Sequence, residues 1–159
     1  MTGLVQPFIS TVPGSLDSKG RVCIPATYRH LLSAQNTQGV YICPSFIDPA
    51  IEAFGQAVLD GINQRLANQD PFFSANFDDE ATTLIARTQQ LPVDENGRIR
   101  IPDALIEHAG LADKIVFVGK AQKFEIWDAD RYAPVEAEAL ARVKARMERA
   151  RNEGVKGEA

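Results

Sequence analysis

Residues 17–25 read DSKGRVCIP and residues 94–102 read DENGRIRIP. Both fit Asp-x-x-Gly-Arg-apolar-x-Ile-Pro, displaced by 77 residues in a chain of 159. A repeat at half the chain length implies two copies of one small unit. A unit of roughly 60 residues is marginal on its own, because it buries too small a share of its surface. Fusing or intertwining the two copies around a shared core is therefore expected.

The residues around each copy follow one order. FISTV (8–12) reads as a strand interrupted by Pro13 and Gly14, and RVCI (21–24) as a second strand with Val22 and Ile24 on one face and Arg21 and Cys23 on the other. Cys23, inside this short run, reads as a small buried thiol. ATYRHLL spaces Tyr28, Leu31 and Leu32 for one face of a short helix, and VYIC (40–43) and IEAF (51–54) read as strands. The second half repeats this with LPV (91–93), RIRI (98–101), a short helix opened by Pro102 and ended by Gly110, and the hairpin-like pair IVFVG (115–119) and KFEIW (123–127). The displacement falls to 73 at that pair, so the first copy carries four extra residues around Pro44 to Pro49. Helical spacing marks residues 52–68, through Val58, Leu59, Ile62 and Leu66, and residues 128–151, through Leu140, Val143 and Met147.

The repeated turn carries the chemistry. Asp17 and Asp94 can each accept hydrogen bonds from backbone amides two residues on, and Gly20 and Gly97 supply the positive φ that such a turn needs. The same carboxylate can hold the following Arg21 or Arg98 still. An oriented guanidinium suits bidentate recognition of a phosphate or of guanine O6 and N7. One such turn with a neighbouring arginine is ordinarily a solvated hairpin; its occurrence in both copies favours a functional reading. Residues 17–29 hold three cations against one carboxylate, and residues 94–106 two cations against three carboxylates, so the first copy is the better anion-facing surface.

Composition narrows the rest. The chain is 45% hydrophobic and 24% charged, with a net charge of −4, which argues against indiscriminate nucleic-acid binding without excluding a local basic face. Two cysteines without a CxxC pair and two distant histidines, His30 and His108, make neither a disulfide framework nor a zinc site. The histidines, each after a short helical segment, read as surface or capping residues. The run Asp78-Asp79-Glu80 reads as a solvated helix start. Phosphate-loop, dinucleotide, nucleophile-elbow and HExxH motifs are all missing, so no catalytic residue, metal or cofactor is assigned. No apolar run of 18 residues and no signal-like start suggest a cytoplasmic protein with no membrane or small-molecule partner.

The segments LDSKGRVCIPATYRHLL and VDENGRIRIPDALIEHAGLADKIVFVGKAQKFEIWDADRY together resemble the MraZ family of bacterial transcriptional regulators, over residues 5 to 150. The resemblance implies a mainly β, α+β fold in which two tandem repeats form a swapped-hairpin, AbrB-like β-barrel pseudo-dimer with a C-terminal helix. The expected organisation is a first repeat with its trailing helix over 5–68, a connection over 69–90, a second repeat with the C-terminal helix over 91–150, and a frayed tail over 151–159. The implied partners are double-stranded DNA, at G-rich promoter repeats upstream of the division and cell-wall genes, and further copies of the chain in a ring at the nucleoid. Repression of that cluster, including the chain's own gene, is the implied outcome. The matching positions make Lys19, Arg21, Arg29 and Arg98 the DNA-binding residues, oriented by Asp17, Gly20, Asp94 and Gly97. The second copy departs at Asn96, opposite Lys19 in the repeat, and at Ile106, opposite Arg29.

Three other readings compete. The foremost is a ring-forming interaction scaffold whose basic turns are merely solvated. An antitoxin-like role fits poorly, because the C-terminal stretch is helical and mixed in charge rather than a disordered acidic tail. A small hydrolase using His30 or His108 lacks a paired nucleophile.

Overall fold

The computed structural model describes residues 5–157, with side chains through residue 155. The first repeat supplies strands β1 (Thr11–Ser15), β2 (Arg21–Cys23), β3 (Val40–Pro44) and β4 (Ile51–Phe54), with helices α1 (Ala26–Ala34) and α2 (Gln56–Ala67). The second supplies β5 (Gln89–Leu91), β6 (Arg98–Arg100), β7 (Lys114–Lys120) and β8 (Lys123–Asp128), with α4 (Asp103–Ala109) and α5 (Ala129–Gly157). Between the repeats, α3 (Ala75–Glu80) is capped by the Ser74 side chain and runs into a turn of π-helix, Ala81–Ile85. The acidic run 78–80 therefore lies within α3.

Strand pairing crosses between the repeats. The large antiparallel sheet has the order β1-β7-β8-β4-β3-β5, and β2 pairs with β6 in a two-stranded sheet. Among the described residues only the hairpins β3–β4 and β7–β8 pair within a repeat; β1–β7, β2–β6, β3–β5 and β4–β8 all join one repeat to the other. The strand order is unchanged when the copies are exchanged, so a pseudo-two-fold axis runs through the molecule. It passes between Val22 and Ile99, equivalent residues paired with each other, and between Glu52 and Glu125, likewise equivalent and paired. Neither repeat can close a core alone, as its size anticipates.

The core is drawn from both sheets and both short helices. Val22, Ile24, Ile99 and Ile101 face inward, and Tyr28, Leu32 and Leu105 cover them from α1 and α4. Phe8, Tyr28 and Phe124 form an aromatic cluster with centroids about 5 Å apart. The Tyr28 hydroxyl donates to Ile9 O or Ser10 O, at 2.9 and 2.8 Å, so its polar end is satisfied while burial raises its pKa.

Several local expectations are corrected. The first strand runs through Pro13 and Gly14 instead of stopping there, because β1 is an edge strand, where a missing N–H costs no inner ladder bond. A Cβ at Gly14 would stand 2.7 Å from the Phe117 ring, so glycine makes room for core packing. The helix expected from residue 52 starts at Gln56, since IEAF is committed to β4. The strand expected at 91–93 ends at Leu91, before Pro92. His30 and His108 lie inside α1 and α4, exposed. Cys23 is exposed and Cys43 is buried, the reverse of the expectation for Cys23.

Two compact units divide at Asp128. The second is α5, 29 residues long, which continues through 151–157 and exposes Leu140, Val143 and Met147 along one stripe. No described helix is long and apolar enough to cross a membrane.

On the axis, Glu125 accepts from Trp127 Nε1 at 2.8 Å and pairs with Lys120 at 2.9 Å. Lys123 bridges Glu125 and Glu52. Trp127 and Lys120 donate to Glu125 and both come from the second repeat, which makes two equivalent carboxylates unequal. Burial pushes the Glu52 carboxyl up to about 7, and the neighbouring Glu125 reinforces the rise. Burial acts in the same direction on Glu125, but bonds from Glu52, Trp127 and Lys120 outweigh it and hold that carboxyl low. Glu52 Oε1 is buried with no donor to satisfy it among the described residues, an arrangement that favours the protonated carboxyl in the same direction as burial and the neighbouring Glu125.

Two predictions follow from this frame. A Cβ at Gly39, where φ is +77°, would meet Leu91 O at 2.0 Å across the β3–β5 junction between repeats. Gly39→Ala is expected to lower unfolding free energy by about 2 kcal/mol or more, while Gly61→Ala, in open space on α2, raises it by up to about 1 kcal/mol. Urea titrations read both. The folded pKa of Glu52 lies above its unfolded value, so the folded state holds the extra proton between about 4.5 and 7. Stability is therefore expected to fall as pH rises through that window and to fall less in Glu52→Gln, as measured by melting from pH 5 to 8.

Candidate nucleic-acid interface

Each repeated turn is built by its first residue. Asp17 Oδ1 accepts the backbone amides of Lys19 at 2.9 Å and Arg21 at 2.8 Å, while Oδ2 accepts Arg21 Nε at 2.8 Å. Gly20 closes the turn at φ +78°, its amide donating to Asp17 O. The second turn repeats this: Asp94 Oδ1 accepts from Asn96 at 2.8 Å and Arg98 at 2.9 Å, and Oδ2 stands 3.4 Å from Arg98 Nε. Both carboxyls are held below the ordinary aspartate range, chiefly by the backbone amide of the following arginine. At the first turn the Asp17 bond anchors the guanidinium by Nε, whereas Arg98 Nε is buried without a hydrogen-bond partner among the described residues, so Asp94 holds it by charge alone. The Arg21 and Arg98 side chains are 30% and 34% exposed, and Ser18 and Lys19 stand at the exposed tip.

The turns open onto the β2–β6 ribbon. Its inner face is Val22 and Ile99, each 1% exposed. Alternation turns Arg21, Cys23, Arg98 and Arg100 to the other face, where Arg21 stands opposite Arg100 and Cys23 opposite Arg98. The ribbon continues past the strands, Ile24 N donating to Gly97 O and Ile101 N to Gly20 O. The turns therefore sit at opposite ends of one short ribbon. The Cys23 thiol lies 3.5 Å from Asn96 O, beside the second turn.

The exchange of repeats moves one expected site residue. Arg29 does not sit with Arg21. Its Nε donates to Ile24 O at 3.0 Å, and its guanidinium lies over Gly97, where a Cβ would come within 2.6 Å of Cζ. Ile106, its equivalent, lies over Gly20 at the first turn, 3.3 Å from where a Cβ would be. Lys19, Arg21 and Arg98 are where the turn chemistry puts them. Arg100 was not singled out from the sequence, although the alternation in RIRI puts it on the Arg98 face; its place opposite Arg21 depends on pairing between repeats.

Like charges facing each other across a ladder destabilise it, so Arg21 against Arg100 suits an external anion. A two-stranded ribbon is of a size that the DNA major groove admits. Among the described residues no cluster of three or more His, Cys, Asp or Glu could hold a metal ion.

Comparisons with known proteins point the same way. The family model for the MraZ protein, described as antitoxin-like, matches residues 84–152. The transcriptional regulator MraZ of Parvibaculum lavamentivorans is 40% identical over 140 residues, covering 87% of this chain and 86% of its own. The chain belongs to the MraZ family. The same-named regulators of Gluconacetobacter diazotrophicus and Azorhizobium caulinodans are 40% and 36% identical, covering 85% and 86% of this chain and 87% of each relative. The MraZ relatives are transcriptional regulators by name, which is not an enzyme class. The α+β architecture with its antiparallel sheet and C-terminal helix agrees with MraZ membership.

The depressed Asp17 carboxyl fixes a pH dependence. Its folded pKa lies below the unfolded one, so its contribution is present above the ordinary carboxylate range and is lost as pH falls through the folded value. Asp17→Asn is expected to melt below wild type at neutral pH, with the gap closing below about pH 4. A gap unchanged at pH 3 would contradict the assigned role.

Proposed function

We propose that this MraZ-family chain is a sequence-specific DNA-binding transcriptional regulator that reads G-rich direct repeats through the β2–β6 ribbon and its two turns. In this reading it represses the division and cell-wall gene cluster, including its own gene, as a ring-shaped homo-oligomer at the nucleoid. The observation that carries the reading is Arg21: a partly exposed guanidinium, tied at Nε by Asp17, opposite a second arginine and beside the exposed Ser18–Lys19 tip. A guanidinium held at one edge keeps its Nη pair for guanine O6 and N7, the commonest specific base contact. Lys19 and Arg29 serve as phosphate contacts, which position without specifying sequence. The acidic total is then no obstacle, because the first-turn end of the ribbon holds Lys19, Arg21 and Arg100 against Asp17.

Assembly supplies what one subunit lacks. Each turn binds weakly, and tethered copies meeting successive repeats gain affinity through high effective concentration. Exposed apolar residues, Ile47 at 91% and Phe73 at 90%, suit contacts between copies.

A gel shift on the DNA upstream of the chain's own gene tests the reading. Replacing the guanines of the repeats is expected to abolish the shift, and Arg21→Ala to cost about 1–3 kcal/mol per engaged site with loss of base preference. Affinity should also fall steeply as salt rises. A shift indifferent to guanine replacement would favour a scaffold with solvated turns.

A further inference from the structure

The two ends of the ribbon are alike in backbone and unlike in charge. The first-turn end comprises the turn 17–20, Arg21, Arg100 opposite it and Ile106 over Gly20. It carries three cations, Lys19, Arg21 and Arg100, against Asp17, a balance of +2. The second-turn end comprises the turn 94–97, Arg98, Cys23 opposite it and Arg29 over Gly97. It carries Arg98 and Arg29 against Asp94 and Glu95, a balance of zero. On the outward face of the ladder itself the pseudo-symmetry is broken at one pair of equivalent positions. Cys23 in β2 answers to Arg100 in β6, so one end has paired guanidiniums and the other a guanidinium facing a thiol.

This matters because a duplex backbone is itself nearly two-fold symmetric. Phosphate contacts alone do not distinguish one direction along DNA from the other. A symmetric reader is matched to a palindrome, its half-sites related as its own halves are. We propose that the ribbon has a polarity set by Cys23 and Arg100: the Arg21–Arg100 end seats on the guanine-bearing side of a double-stranded DNA site, and the Arg98–Cys23 end on its flank. The inference rests on the DNA-binding reading above and adds to it the direction in which each subunit lies. Subunits that all lie the same way match sites repeated head to tail, with no need for inverted halves. Arg100 is then a specificity residue, and Cys23 acts by withholding a fourth guanidinium.

The test reads direction rather than affinity. Thr27 is exposed on α1, which follows the stretch of ribbon beside the second turn. An iron chelate on the single engineered thiol of full-length Cys23→Ser/Thr27→Cys cleaves DNA near that end; Cys43, the other cysteine, is buried. The probe is a duplex with one G-rich site from the upstream region, at protein concentrations that saturate it. Cleavage is expected several-fold stronger on one flank. The exchanged chain, Cys23→Arg/Arg100→Ser/Thr27→Cys, in which each end balances at +1, is expected to cleave both flanks about equally. Cys23→Arg/Thr27→Cys, which brings the second-turn end from zero to +1, is expected to narrow the difference between the flanks, and keeps the test open should the exchanged chain not fold. Equal cleavage of both flanks by the Cys23→Ser chain overturns the polarity while leaving DNA reading intact. One-sided cleavage that neither arginine variant alters overturns the assignment to Cys23 and Arg100. A wild-type chain that fails to retard the duplex at all overturns the DNA-binding reading, and the polarity with it.

Discussion

The pairing of Val22 with Ile99 is the contact on which the rest of the molecule depends. It joins equivalent residues of the two repeats, buries both in the core and fixes the register of the ribbon. A shift by one residue would turn Arg21 and Arg98 inward and expose the apolar pair, so burial specifies the register strongly. Register in turn places Gly20 against Ile101 and Gly97 against Ile24, which orients both turns. The arginine surface is therefore a consequence of core packing, and each turn is held by the strand of the other repeat.

What could be read from the sequence was mostly local. The Asp17 and Asp94 turns depend on contacts within four residues, so their residue types foretell their hydrogen bonds. The alternation of RVCI and RIRI fixes inner and outer faces for the same reason. Pairing between repeats is not local, and the misreadings follow from it. Pro13 and Gly14 break a strand only if it is central, and no local signal says that β1 is an edge. The apolar run around Cys23 suggests burial, although its alternation with Arg21 sets it on the polar face. Arg29 belongs by sequence to the first copy and by contact to the second turn.

This transfer revises the charge comparison between copies. By sequence the first copy is the more basic. In the folded chain Arg29 leaves that end and Arg100 joins it, so the first-turn end stays basic with different members. The second end gains Arg29, which offsets its extra carboxylate, Glu95. Counting charge along the chain gives the right sign at the first end for a reason that only the exchange makes visible.

Fusion of two copies in one polypeptide permits something that a true homodimer cannot have. In a homodimer, residues paired across the axis are identical and their surroundings are forced to match. Here Glu52 and Glu125 meet on the axis, and like charges so close resist joint ionisation. Two identical environments would leave the shared proton no preferred side. Trp127 and Lys120, both from the second repeat, break the tie by holding the Glu125 carboxyl low, while burial and Glu125 itself raise that of Glu52. The same freedom operates across the core at the ribbon, where Cys23 and Arg100 differ. Both departures leave the shared backbone pairing intact and change only side chains. A fold that needs two-fold symmetry to close its core can thus carry an asymmetric surface, provided that the differences stay off the inward-facing residues.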